Sequence, residues 1–271
     1  MKFTNQQTFF DYIKTLKLLA AKDLGQNFLI NDNLAKTIVD KLDVKSDEKV
    51  LEIGAGFGSL SYFLVAQESE VVLLDVDPKT IMFLNEQFGQ QKHVNIVQES
   101  ILKHDLSSYH KIIGNLPYYI TNDSIEYCLL NAKKCRRMIF MIQKEVFPRL
   151  NAKPSQEDFG PLSLLISYLG NVRRIFNVGR SNFVPAPRID SIVVEIEMNS
   201  ENDYEMAEKL MKTTKKLFHH RRKTIRNNLR LFLNDVSLAD HALADLGVDA
   251  SKRPEQLDLP FYLALIKQLK F

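Results

Sequence analysis

The stretch LEIGAGFGSLS, Leu51 to Ser61, sets Gly54, Gly56 and Gly58 between an apolar run and a helical pattern. KVLEIG, Lys49 to Gly54, reads as a buried strand, and Ser59 to Glu68 reads as a helix. Glycines at such a junction let the backbone bend tightly and approach a ligand with no Cβ in the way. A plain strand-to-helix turn would use the same residues, so the neighbouring segments have to decide. The next apolar run, EVVLLDVD from Glu70 to Asp77, is a second strand with Asp75 near its end. An acid in that place suits a ribose diol.

Further out, VNIVQES, KIIGNLP and RRMIFMIQKE read as a third, fourth and fifth strand, with helical patterns between them. A helical stretch around Pro161 to Leu169 follows, then RIFNVG and SIVVEIEM as late strands. Strands alternating with helices predict a mostly parallel, doubly wound, Rossmann-like α/β sheet. NSEND, Asn199 to Asp203, is a polar break, and beyond it the pattern is only helical. The expected organisation is an α/β domain over 1–200 and a smaller all-helical domain over 201–271.

The glycine spacing narrows the ligand. A dinucleotide fold prefers G-x-G-x-x-G, whereas this loop reads G-x-G-x-G after Glu52. No G-x-x-x-x-G-K-[ST] phosphate loop occurs. A cofactor with ribose and adenine but no phosphates fits better, which is S-adenosylmethionine.

Composition sets outer limits. Hydrophobic residues make up 45% and charged residues 25% of the 271. No apolar run approaches the roughly 18 residues of a membrane helix, and MKFTNQQTFFDYIK lacks a signal-peptide core. The expectation is a cytoplasmic protein away from membranes, with a monomer as the default. The two cysteines, Cys128 and Cys135, and the six histidines form no metal-type spacing. The expectation is reduced thiols and no metal. Net charge is +3, but Lys209 to Arg230 is dense in Lys and Arg and holds no acid. That density suits either a solvated helix face or a polyanion partner.

The stretch IIGNLPYYIT, Ile112 to Thr121, carries the chemistry. Asn115 falls just past the fourth strand, at the carboxyl edge where such sheets bind ligands. An exocyclic amine on a base is a poor nucleophile, because its lone pair is delocalised into the ring. The Asn115 side-chain oxygen and the Leu116 carbonyl supply two acceptors for its N–H groups. Pro117 fixes the turn, and Tyr118 offers a face for the base. Positioning is then most of the catalysis, since a sulfonium methyl is already activated.

With LGQNFLIN (Leu24 to Asn31), GNLPYYIT, MIQKEVFPRL, NFVPAPRIDSIVVEIE (Asn182 to Glu197), FHHRRKTIRNNL (Phe218 to Leu229) and RPEQLDL (Arg253 to Leu259), the chain resembles the small-subunit ribosomal RNA adenine dimethyltransferases of the KsgA/Dim type. The resemblance implies transfer of two methyl groups to N6 of each of two adjacent adenosines in the 3′-terminal hairpin of 16S rRNA, on the small ribosomal subunit. It implies that Asn27 and Leu29 line the cofactor with Gly54, Gly56, Asp75, Ser100 and Asn115. It also implies that Phe183 stacks on the target base opposite Tyr118; a core aromatic before a Pro-rich bend is the other reading of Phe183.

Three departures stand out. Asp75 occupies a position where the family usually carries Glu. Ser100 stands where the family usually has an Asp that accepts from the cofactor adenine. A strand alternates faces, so Glu99 is expected to point away from the site that Ser100 faces. Tyr119 stands where many members have Asn. The basic run is expected to form an amphipathic helix that docks through Leu210, Leu217, Ile225 and Leu229. Arg222, Lys223 and Arg226 then face RNA, with Arg221 either among them or turned to an internal partner. Two other functions remain: a large-subunit rRNA methylase of the macrolide-resistance type, and a ribosome-assembly factor without catalysis.

Overall fold

The structure is a computed structural model that describes residues 6–15 and 27–269. Leu24, Gly25 and Gln26 of the LGQNFLIN motif lie outside the described residues. In chain order the strands are β1 (Phe28–Leu29), β2 (Lys49–Ile53), β3 (Glu70–Asp75), β4 (Val94–Gln98), β5 (Lys111–Asn115), β6 (Arg137–Gln143), β7 (Gly170–Val178), β8 (Phe183–Val184) and β9 (Ser191–Met198). The main sheet runs β4-β3-β2-β5-β6-β9-β7. Its first five strands pair in parallel, and β9 pairs antiparallel with β6. This is the expected Rossmann-like α/β architecture.

The apolar runs explain the order. Strands β2, β3, β5 and β6 are buried almost throughout, as parallel strands covered on both faces must be. β4 and β7 stand at the two edges and are half exposed. Gly114 lies opposite Ile53 across the β2–β5 pair. A Cβ there would stand 2.6 Å from the Ile53 carbonyl oxygen, so only glycine lets these central strands meet. Side-chain caps start the flanking helices: Asn31 before Asp32–Leu42, and Asp77 before Pro78–Phe88. Such caps contribute about 1 kcal/mol each. Among the described residues, no helix is long and apolar enough to cross a membrane.

The chain divides into two compact units. One runs to Phe147 and adds Arg173–Met198; the other comprises Pro148–Val172 and everything from Asn199 on. The sequence pattern alone puts one boundary near residue 200 and leaves 148–172 with the sheet. The structure moves that segment to the helical unit. Phe159 and Leu164 are buried there with Leu210, Leu229 and Tyr262 in one apolar core. Locally, helix Pro161–Leu169 looks like any crossover helix of an α/β sheet. Only its partners show otherwise.

The basic run is also two helices rather than one. Helix Tyr204–Leu217 stops, and Ile225–Leu233 restarts with Thr224 as its cap. The Asn228 side-chain amide lies within hydrogen-bond reach of the carbonyls of His220, Lys223 and Thr224 and ties the turn to the start of the second helix. Leu210, Leu217, Ile225 and Leu229 are nevertheless all fully buried. The spacing across the turn mimics one continuous helical face.

Candidate active site

From β2 the chain winds outward to β3 and β4, then restarts at β5 on the other side of β2. The loops after β2 and β5 therefore part, and ligands bind in such a crevice. A cavity of about 170 Å³ lies there. Asn27, Leu29, Gly54, Gly56, Asp75 and Ser100 line it, and so does the whole of Asn115 to Tyr118. The structure thus brings together every residue that the sequence placed at the cofactor and acceptor ends, except Phe183.

The glycine loop is built on positive backbone angles, with Gly54 at φ 66° and Gly56 at φ 55°. L side chains are strained there. The Gly56 amide donates to Asp75 Oδ2 at 2.8 Å, and the Asp77 amide donates to Oδ1 at 2.9 Å. Asp75 therefore holds the loop while lining the cavity. A carboxylate oxygen can accept more than one hydrogen bond, so both still have capacity for a diol. Burial pushes the Asp75 carboxyl up, against the pull of those amides. Glu52 is only 2% exposed. Burial pushes its carboxyl up to about 8, although Ser61 Oγ donates to it at 2.6 Å.

The lining chemistry tests what the cavity could hold. Glu52, Asp75 and Glu99 line it, and among the described residues no Lys, Arg or His does. Among these lining residues a phosphorylated ligand would meet acids and no cation. A ligand with a diol and a positive centre meets what it needs, and S-adenosylmethionine fits that description.

At the acceptor end, Asn115 Nδ2 donates to the Asn27 carbonyl at 2.9 Å. That bond fixes the carboxamide and leaves Oδ1 as its acceptor. The Pro117 carbonyl accepts from Ile120 N and Thr121 Oγ1, which locks the turn carrying Tyr118 and Tyr119. Burial raises the Tyr118 phenol, so it stays protonated.

Two expectations about the site need correction. Phe183 is 2% exposed and sits on β8 in register with Leu29, within the same core as Phe28 and Phe57. Its ring is a core aromatic with no open face for a base. Tyr119, by contrast, lines the cavity and is 56% exposed; the sequence singled it out only as a departure. Glu99 does not point away in strict alternation with Ser100. Strand β4 ends at Gln98, so the period of two no longer applies, and both residues line the cavity. A single sequence does not show where a strand stops to within one residue.

The expected RNA contacts divide in the helical unit. Arg226 Nε and Nη2 donate to the two oxygens of Asp240 at 2.9 and 2.7 Å, and Arg230 grips the same carboxylate. Those two guanidinium groups hold Asp240 well below the usual carboxylate range. Arg226 is therefore a half-exposed clamp between helices, already paired where, among the described residues, Arg222 and Lys223 are not. Arg221 donates to the Glu157 carbonyl at 2.6 Å, the internal alternative. Arg222 and Lys223 are exposed, and their side chains have no partner among the described residues.

Comparison with known proteins follows the same lines. The chain is 31% identical over 265 residues to "Ribosomal RNA small subunit methyltransferase A" of Malacoplasma penetrans, covering 96% of each chain. It is 36% identical over 261 residues to the protein of that name from Pseudomonas syringae pv. tomato, covering 92% of this chain and 94% of that one. Among solved structures, a dimethyladenosine transferase from Plasmodium falciparum superposes with TM-score 0.73 at 22% identity, over 90% of this chain and 97% of that one. The 23S rRNA methyltransferase ErmE superposes with TM-score 0.64 at 21% identity, over 90% and 100%. At these identities the two structures speak for the fold alone. A profile of the family "Ribosomal RNA adenine dimethylase" matches residues 18–262. The chain belongs to the ribosomal RNA adenine dimethylase family.

Proposed function

We propose that this chain dimethylates N6 of two adjacent adenosines in the 3′-terminal hairpin of 16S rRNA, on the small ribosomal subunit. It is an S-adenosylmethionine-dependent enzyme, as its family membership states. The observation that carries the substrate chemistry is the Asn115 carboxamide, turned by Asn27 at the edge of a cavity rich in acids. Bound S-adenosylmethionine supplies an electrophilic methyl on a sulfonium. Asn115 Oδ1 and the Leu116 carbonyl accept from the adenine N6 amine and direct its lone pair. Tyr118 gives the base a face. After one transfer a single N–H remains, and one acceptor is enough to hold it. Arg222 and Lys223 supply charge for the RNA backbone. The working form is a cytoplasmic monomer.

The test is methyl transfer to purified small subunits that lack the modification, read as dimethyladenosine in digested rRNA, with large subunits in parallel. Dimethyladenosine in the small-subunit hairpin is expected. Transfer only to the large subunit would favour the macrolide-resistance type. Binding without transfer to either would favour an assembly factor.

A further inference from the structure

The carboxyl edge of the sheet presents its polar groups in a fixed order. Asn115 ends β5, the glycine loop follows β2, Asp75 ends β3, and Glu99 and Ser100 follow β4. A nucleoside sulfonium laid along this edge, with its methyl at Asn115 and its ribose at Asp75, carries its base to Glu99 and Ser100. Ser100 is poorly placed to read that base. Its carbonyl accepts from Lys103 N and His104 N, and its hydroxyl accepts from Leu102 N at 3.4 Å, so it is used in closing the following turn. The other acids are engaged: Glu52 with Ser61, and Asp75 with Gly56 and Asp77.

Glu99 differs. His104 Nδ1 lies 2.7 Å from Oε2, while Oε1 has no partner among the described residues. The His104 ring is itself fixed, because Nε2 lies 2.7 Å from the Tyr109 hydroxyl and Tyr109 is buried. Tyr127 donates to the His104 carbonyl at 3.1 Å. A phenol donating to Nε2 leaves the proton on Nδ1, so the imidazole donates to Glu99.

We propose that Glu99, oriented by His104, is the residue that selects the 6-amino base of the cofactor, in place of Ser100. Glu99 is the binding residue and His104 its positioning residue. This rests on the cofactor reading of the cavity. A carboxylate only accepts, so it favours an amine at position 6 of the purine and repels an oxo group.

The experiment compares binding of S-adenosylhomocysteine and S-inosylhomocysteine by calorimetry. Wild type is expected to prefer the adenosyl compound by about tenfold or more, the difference one charge-assisted hydrogen bond makes. Glu99→Gln is nearly isosteric and keeps the fold. Its Oε1 still accepts from His104, so its amino group faces the ligand. The preference is then expected to invert, with the inosyl compound gaining several-fold over wild type. Adding His104→Phe frees the amide to turn, which brings the two ligands near parity. Ser100→Ala is expected to leave the wild-type preference intact. A Glu99→Gln variant that binds S-adenosylhomocysteine with the wild-type preference would overturn the assignment, as would loss of preference in Ser100→Ala. Failure of wild type to bind S-adenosylhomocysteine at all would instead overturn the cofactor reading itself.

Discussion

The Asn115 side chain donates to the Asn27 carbonyl at 2.9 Å, joining the end of β5 to the residue before β1. One bond therefore sets which end of the carboxamide accepts. Asn115→Ala removes both the anchor and the acceptor. The expected loss is about 10²-fold or more in methyl-transfer rate, comparable to removing one positioned polar group elsewhere. Binding to small subunits should barely change. Single-turnover assays beside a binding titration check this, and near-normal turnover would refute the role.

Glu52 makes stability depend on pH. Its carboxyl is raised from an ordinary 4.5 to about 8 by burial. Between those values the folded state keeps a proton that the unfolded state has released. The stability that the neutral form confers is thus complete below the lower value and is lost as pH rises toward the upper one. The slope is about 1.4 kcal/mol per pH unit inside that window. Urea unfolding of wild type and Glu52→Gln across the window should show the difference shrinking or reversing with pH, because Gln cannot ionise. Parallel curves would mean that Glu52 titrates normally.

Phe183 and Tyr119 should separate stability from function. Phe183→Ala empties a fully packed core position and is expected to cost about 3–5 kcal/mol. Tyr119→Ala removes an exposed ring and should shift stability by no more than about 0.5 kcal/mol. If Tyr119 supplies the second face for the target base, its variant should raise KM for small subunits with the melting temperature unchanged. Thermal melts and steady-state kinetics on both variants decide the matter.

The helical unit offers a contrast between engaged and open arginines. Changing Arg222 and Lys223 together to Ala should weaken binding to small subunits and flatten its salt dependence, by nearly one log–log unit for each lost phosphate contact. Arg226→Ala should alter that slope much less, because its guanidinium is already paired with Asp240. Cofactor affinity should stay constant in both. Coincident slopes for wild type and the double variant would place the RNA surface elsewhere.

Much of this was legible in the residues. The continuous apolar runs gave the strands, because a strand buried on both faces has no polar alternation to confuse it. Gly54, Gly56 and Asp75 mark one end of the cavity, and Asn115 to Tyr118 mark the other, because each lies at or just past a strand end. What failed was set by tertiary contact. Nothing within Pro161–Leu169 says which unit it packs on. Nothing near Phe183 says that its ring is already covered. Arg226 reads as a free cation until Asp240, on the next helix, is seen beside it. For Glu99 the period of two stops applying one residue earlier than the sequence shows, because β4 ends at Gln98.

The helical unit takes its core from two separated stretches of chain, with Phe159 and Leu164 in one and Leu210, Leu229 and Tyr262 in the other. Translation delivers these stretches in order, with the last strands of the sheet between them. Phe159 and Leu164 leave the ribosome with no partners and stay uncovered until the C-terminal helices emerge, a period in which a nascent chain is open to aggregation or chaperone capture. Cutting the gene near codon 200 would not yield two autonomous halves. The upstream fragment would carry an orphaned apolar surface, and the downstream fragment would lack part of its own interior.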